Sequence, residues 1–266
     1  MERLLVGIDG SAPAANALRW AIGLADAVGA ELAVATAVGA DAPEGARAQV
    51  REEFEVWCTP LREGSHRYRT SILDGDPRVA LPHDAVEQGA ALIAVGTSGC
   101  GWFPAVHLGH VAHYLALHAE QPVVVVPPGF EPRPPRRLVV GIDGSPRSAE
   151  AVTWSAALAR AMAGEVVAVY ACPPPASIPV SRRVKPDEVG PPEAWLHPLV
   201  EAGVPTQFSV VEDQPAKALA DAAEAEGADA VVVGARGAGG LRGLHLGSVA
   251  LRLLHHAQVP VAVVPA

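Results

Sequence analysis

The sequence predicts two tandem open α/β sandwiches. Each is a five-stranded, mostly parallel sheet in strand order 3-2-1-4-5, with helices on both faces. Three observations predict it. The chain of 266 residues repeats itself once. Near-continuous Val/Ile/Ala runs alternate with Ala-rich helical stretches in each copy, the pattern of a parallel sheet covered on both sides. Each copy, at about 130 residues, is large enough for a core of its own.

The repeat is direct. VGIDGS occurs at Val6–Ser11 and again at Val140–Ser145, 134 residues later, and the pairs Trp20/Trp154 and Glu31/Glu165 keep that spacing. Further along, Pro77/Pro215, Gly96/Gly234, Gly99/Gly237, Gly109/Gly247 and Pro122/Pro260 stand 138 apart. The second copy therefore gains four residues between its second strand and its third helix. The junction PPGFEPRPPRR, Pro127 to Arg137, holds five prolines. Such a segment is an extended, semi-rigid spacer that cannot continue a sheet. It separates a first domain, 1–128, from a second, 138–266, with the linker at 129–137.

Each copy reads in the same order. A short apolar run, Arg3–Ile8 or Leu138–Ile142, is a buried strand. It ends in Asp-Gly-Ser, where the serine caps a helix and Pro13 or Pro146 occupies the first turn at little cost. Helices are predicted over 14–27 and 147–162, then strands over 31–37 and 165–171. A helix over 46–62 follows in the first copy. The second has a Pro-rich stretch, Pro173–Pro192, and a shorter helix over 193–202. Strands at 67–73 and 206–212 precede helices that start at Pro77 and Pro215. Strands at 90–95 and 229–233, a Gly-rich loop, helices at 109–118 and 247–256, and strands at 122–126 and 260–264 close each copy.

Composition excludes several functions. The net charge is −9 and neither half, divided after Arg133, is basic, so non-specific nucleic-acid binding is not expected. Cys58, Cys100 and Cys172 are too few and too scattered for a disulfide framework or a zinc knuckle, and a reducing cytoplasm fits them. The start MERLLVGIDG lacks the layout of a signal peptide, and no apolar run is long enough to span a membrane.

In open parallel sheets, ligands bind beyond the carboxyl ends of the strands, near the switch in strand order. The loops after strands one and four are therefore the candidates. After strand four, the second copy reads Gly234-Ala-Arg-Gly237, nine residues, then Gly247-Ser248. This is the logic of a phosphate cradle. Gly234 and Gly237 permit positive φ and close backbone approach. Gly247 and Ser248 open a helix whose free N–H groups and dipole favour an anion. Ser248 adds a hydroxyl, and Arg236 and Arg242 lie within reach of a polyphosphate.

The stretch GARGAGGLRGLHLGSVALRLLHHAQVPVAVVP, together with VGIDGS, resembles the universal stress protein family in its tandem, two-domain form. The resemblance covers both copies and implies binding of ATP, ADP or AMP, with Mg2+ as an accompanying ion. It implies that the Asp after strand one and a backbone group at the end of strand two hold the adenosine, while the glycine loop and helix start hold ribose and phosphates. Residue by residue, it assigns Asp143, Ala171, Gly234, Gly237, Gly247, Ser248 and Val249 in the second copy. The first copy offers Asp9, Ala37, Gly96, Gly99 and Gly109. It departs from the pattern, since His110 stands where the motif has Ser or Thr, and Trp102 and Phe103 make its loop bulkier. Asp9 and Asp143 carry a second reading, because Asp-Gly-Ser after a strand is also a turn with its own helix cap. The resemblance further implies that the terminal strands of the two copies pair within one chain as a pseudo-dimer, with a homodimer of chains as a further step.

Other signals are weaker. His107, His110, His113 and His118 lack carboxylate or Cys partners at matching spacing, so a metal site is not expected, and His255-His256 suits a helix C-terminus. Walker A, GxSxG and SGGxDS motifs are missing from the sequence. The expectation is thus a cytoplasmic ATP-binding stress or regulatory protein that signals to a protein partner, with at most slow ATP hydrolysis. The alternative is a nucleotide-free dimerisation or interaction module of the same fold.

Overall fold

Strands and helices form in nearly the order that the repeat dictates. The computed structural model describes residues 1–64, 66–99, 108–172, 193–237 and 246–265, and the chain divides into two units, Met1–Pro134 and Pro135–Ala266. The first unit runs β1 (Arg3–Gly7), α1 (Ala12–Val28), β2 (Glu31–Val38), α2 (Glu44–Trp57), β3 (Tyr68–Asp74), α3 (Pro77–Glu87), β4 (Ile93–Gly96), α4 (His110–His118) and β5 (Val123–Val126). The second runs β6 (Arg137–Ile142), α5 (Pro146–Ala161), β7 (Glu165–Ala171), α6 (Glu193–Glu201), β8 (Thr206–Val211), α7 (Pro215–Ala225), β9 (Ala230–Gly234), α8 (Ser248–His256) and β10 (Val261–Val264).

Within the first unit the strands lie side by side as β3-β2-β1-β4-β5, and within the second as β8-β7-β6-β9-β10. Neighbours in both are parallel. In the first unit the order reverses between β1 and β4, where Leu5 faces Ile93. That is the position at which such sheets leave a crevice. The inner strands are apolar because both faces are covered: Leu4, Leu5, Val6 and Ile93 are fully buried, as are Leu138, Val139 and Val140. Among the described residues, no helix is long and apolar enough to cross a membrane.

The helix starts follow from their sequence. The Ser11 hydroxyl accepts from the Ala14 N–H and the Ser145 hydroxyl from the Ser148 N–H, with proline in the first turn of both helices. At the amino-terminal edge of each sheet an arginine serves as a brace. Arg3 pairs with Glu31 on the neighbouring strand at 2.7 Å and donates to the Gln88 carbonyl at the end of α3. Arg137 does the same with Glu165 and, at 2.6 Å, with the Glu226 carbonyl at the end of α7. Hydrogen bonds from Arg3 and then Arg69 hold the Glu31 carboxyl below its ordinary range. Beside Arg137, buried Asp229 accepts from the N–H groups of Arg136 and Arg137 at 2.6 and 2.8 Å. Arg137→Met is expected to destabilise the second unit by about 1 kcal/mol, since the pair is partly exposed but the helix-end carbonyl also loses its donor. Scanning calorimetry of the full chain reads this as a lower melting temperature, and an unchanged one would show that the brace contributes nothing.

Two expected elements differ. The helix expected over 46–62 ends at Trp57 and gives way to a 3-10 turn over Thr59–Arg62. Pro60 has no N–H with which to continue the α-helical ladder, and it sits instead in the first turn of the 3-10 segment. The strand expected over 90–95 begins at Ile93. The Ala90 N–H instead bonds the Ala85 carbonyl, closing α3, while Leu92 is buried without extending the strand. The apolar run marks burial, and burial starts before the ladder does. The Pro-rich stretch, Pro173–Pro192, lies outside the described residues.

Candidate functional site

In the first unit, the chain leaves β1 at Gly7 and turns through Asp9-Gly10-Ser11 into α1. Asp9 Oδ1 accepts from the Ser11 N–H at 3.1 Å and lies 2.6 Å from Ser11 Oγ. The same hydroxyl lies 3.3 Å from the Ser98 carbonyl, in the loop after β4. The other oxygen, Oδ2, sits against Gly99, where a Cβ would overlap it. Asp9 and Ser11 therefore latch the loop after β1 to the loop after β4. Past that loop, the Gly109 N–H donates to the Thr97 carbonyl at 2.6 Å, and Gly109 is the N-cap of α4. These groups enclose a cavity of about 520 Å3, walled also by Ala35, Thr36 and Ala37 of β2 and by Pro77 and Leu81 of α3. All five residues assigned to the first copy, Asp9, Ala37, Gly96, Gly99 and Gly109, line it, together with His110 and Val111.

The second unit repeats the geometry. Asp143 Oδ1 accepts from the Ser145 N–H at 3.0 Å. A Cβ on Gly237 would lie 2.5 Å from Asp143 Oδ2. The Gly247 N–H donates to the Ala235 carbonyl at 2.8 Å, and Gly247 caps α8, whose first residues are Ser248 and Val249. Asp143, Gly237, Gly247, Ser248 and Val249 thus meet at one place, with Gly234 at the end of β9. Ala171 is the last residue of β7, next to Tyr170, which is in register with Ile142 just before Asp143. Arg242, Trp102, Phe103, Cys100 and His107 lie outside the described residues.

One expectation about these glycines is corrected. None of Gly96, Gly99, Gly109, Gly234, Gly237 and Gly247 adopts a φ in the left-handed region. What each lacks is room. A Cβ on Gly96 would lie 2.5 Å from the Pro13 carbonyl carbon and 2.6 Å from the Ala14 nitrogen, and one on Gly234 would lie 2.8 Å from the Arg147 carbonyl oxygen. Gly96 and Gly234 thereby let the end of β4 and of β9 pack on the first turn of α1 and of α5. Positive φ belongs instead to Gly10 and Gly144, at +81° and +74°, in the turn after strand one.

Those two turns rest on residues that the sequence reading missed. Trp57 packs on Gly10 and Trp195 on Gly144, the latter with its Cζ2 3.1 Å from where a Cβ would stand. Trp57 meets Phe54 edge-on at 6.4 Å and Trp195 stacks on Tyr170 at 5.5 Å. The two tryptophans are 138 apart, so the repeat spacing carried the signal. Also missed were Thr36 and Thr97, both buried in the cavity wall, where the Thr97 hydroxyl has no hydrogen-bond partner among the described residues. Metal-ligating clusters are not found among the described residues, and His255 and His256 close the last turn of α8. Burial pushes the Cys58 thiol up to about 11 and raises that of Cys172, so neither is poised as a thiolate.

Comparison with known proteins agrees with this layout. The model of the universal stress protein family matches twice, over residues 1–127 and 135–265. Two universal stress proteins of Mycobacterium tuberculosis are 30% identical to the chain, over 304 and 296 aligned residues. The alignments cover 98% of this chain and 94% and 95% of those proteins. A crystal structure of a universal stress protein from Archaeoglobus fulgidus superposes with a TM-score of 0.73 at 19% identity, covering 99% of this chain and 98% of that one. That of a putative universal stress protein from Pseudomonas aeruginosa gives 0.67 at 16% identity, covering 100% and 93%. With the repeated Asp-Gly-Ser turn and glycine loop in both units, the chain belongs to the universal stress protein family.

Proposed function

We propose that the crevice at the strand switch of each unit binds an adenine nucleotide, and that the chain acts as a nucleotide-dependent regulatory protein of the stress response. The observation that carries this reading is the cavity of about 520 Å3 in the first unit. Its size is that of a small-ligand site. One side is apolar, with Ile8, Ala35, Leu81 and Val95, which suits a base. The other is the start of α4, where the backbone N–H groups of His110 and Val111 have no partner within the helix and the dipole favours an anion.

Asp9 and Asp143 face the nucleoside, the backbone at Ala37 and Ala171 meets the base, and the glycine loops with Ser248 and Val249 take ribose and phosphates. Binding rather than turnover fits the wall. Among the described lining residues Asp9 is the single carboxylate, and its Oδ1 is already engaged by Ser11. Fast phosphoryl transfer needs a positioned base and carboxylates for Mg2+. A ligand that bridges the latched loops stabilises one arrangement of them, which is the physical content of a switch.

A thermal-shift titration of the full chain tests the reading. A ligand of the native state stabilises by about 2.7 kcal/mol at a hundredfold excess over its Kd. ATP is expected to raise the melting temperature in a saturable way, with no shift from an equal concentration of pyrophosphate alone. A melting temperature indifferent to ATP, ADP and AMP would favour the nucleotide-free interaction module instead.

A further inference from the structure

We infer that the two crevices take adenine ligands of different charge: a polyphosphate in the second unit, and a nucleoside or monophosphate in the first. This rests on the nucleotide reading above and assigns each site its ligand class. The repeat makes the comparison direct, because equivalent positions can be read against each other.

Positions around the cradle differ in charge and hydrogen-bonding chemistry. Arg236 sits in the second glycine loop where the first has Ser98. Its Cα would stand 3.2 Å from a Cβ on Gly247, the residue that caps α8, so the arginine springs from the backbone that faces the anion-binding helix start. Arg147 sits in the first turn of α5 where α1 has Pro13, and its Cβ would stand 3.1 Å from one on Gly234. Two arginines are therefore rooted beside the second cradle where the first unit has Ser98 and Pro13, and a guanidinium can donate two hydrogen bonds to phosphate oxygens. Ser248 adds a hydroxyl where His110 places an imidazole.

The first crevice is built otherwise. Its described lining holds no Arg or Lys. Arg78, beside the lining residue Pro77, is engaged by Asp76 and lies 5.9 Å over the Tyr114 ring. What the wall offers are neutral groups, among them Thr36 and Thr97, each more than nine-tenths buried, with the Thr97 hydroxyl lacking a partner among the described residues. Neutral hydroxyls suit the hydroxyls and amine of a nucleoside and discriminate little between phosphate numbers, whereas each charge-assisted bond adds about tenfold in affinity. The glycine geometry and the helix start are common to both units, so the difference in ligand comes from these side chains.

The test uses the full chain with one site blocked at a time, by Gly109→Val or Gly247→Val, titrated calorimetrically with adenosine, AMP, ADP and ATP. With the first site blocked, affinity is expected to rise about tenfold or more from adenosine to ATP and to fall with added salt. With the second blocked, ATP is expected to bind no more tightly than AMP. Exchange variants in the otherwise unaltered chain guard against a blocked variant that fails to fold. Ser98→Arg is expected to create an ATP preference in the first site, and Arg236→Ser to collapse the ATP-to-adenosine ratio in the second. The same ranking of the four ligands at both sites, unmoved by the exchanges, overturns the division of ligands. Failure of every adenine compound to bind anywhere overturns the nucleotide reading beneath it.

Discussion

Gly247→Val is expected to weaken ATP binding at the second unit by about 100-fold. Gly247 donates its N–H to the Ala235 carbonyl at 2.8 Å, and this bond fixes the start of α8 against the glycine loop. A Cβ there would stand 3.2 Å from Arg236 Cα and 3.4 Å from the Ala235 carbonyl oxygen. That contact alone asks the loop to yield by a few tenths of an ångström. The two γ methyls of valine enlarge the demand on the loop backbone that would receive the phosphates. Overpacking of this kind costs about 1–3 kcal/mol, and a hundredfold loss corresponds to about 2.7 kcal/mol. The fold of the second unit should survive, because the glycine has ordinary helix-cap backbone angles, φ −60° and ψ 149°, that valine also adopts. Calorimetric titration read beside a circular dichroism spectrum checks both parts. Undiminished affinity in a folded variant would place the phosphates elsewhere.

Gly96→Ala is expected to have the largest effect on stability, about 2–3 kcal/mol. The added methyl would meet the Pro13 carbonyl carbon at 2.5 Å and the Ala14 nitrogen at 2.6 Å. These are backbone atoms in the first turn of α1, so no side chain can rotate away. Relief requires the helix start to move, and it is held by the Ser11 cap and by the latch from Ser11 to Asp9 and Ser98. For a unit of this size the melting temperature should fall by about 8–12 °C. Gly75→Ala is the contrast within the same unit. Its Cβ would meet nothing within 4 Å, yet its φ of +104° makes the substitution a matter of backbone strain alone. A melting temperature unchanged by Gly96→Ala would mean that β4 and α1 do not pack as closely as the geometry shows.

Much of the fold was legible in the sequence because both units bury their inner strands on two faces. A parallel strand such as VVVV at Val123–Val126 announces itself by composition, and the Ser11 and Ser145 caps by position. The site was legible through spacing. Asp9 is far along the chain from Gly96, Gly99 and Gly109, and it meets them only because β1 and β4 are neighbours. The reason for the glycines was not legible. Composition says that a residue lacks a Cβ, and only the neighbouring chain says whether conformation or space requires it. The same limit hid the arginine braces. Arg3 and Glu31 recur as Arg137 and Glu165, yet their pairing depends on the register between the first two strands of each unit. The break at Thr59–Pro60 is readable from the proline itself.

Equilibrium binding of ATP to the nucleotide-free full chain, measured by calorimetry beside Gly247→Val, tests the central claim most directly. Saturable binding in the original chain, weakened by about two orders of magnitude at one site in the variant, is the expected result. The absence of saturable binding up to millimolar ATP, or identical isotherms for the two proteins, would contradict it.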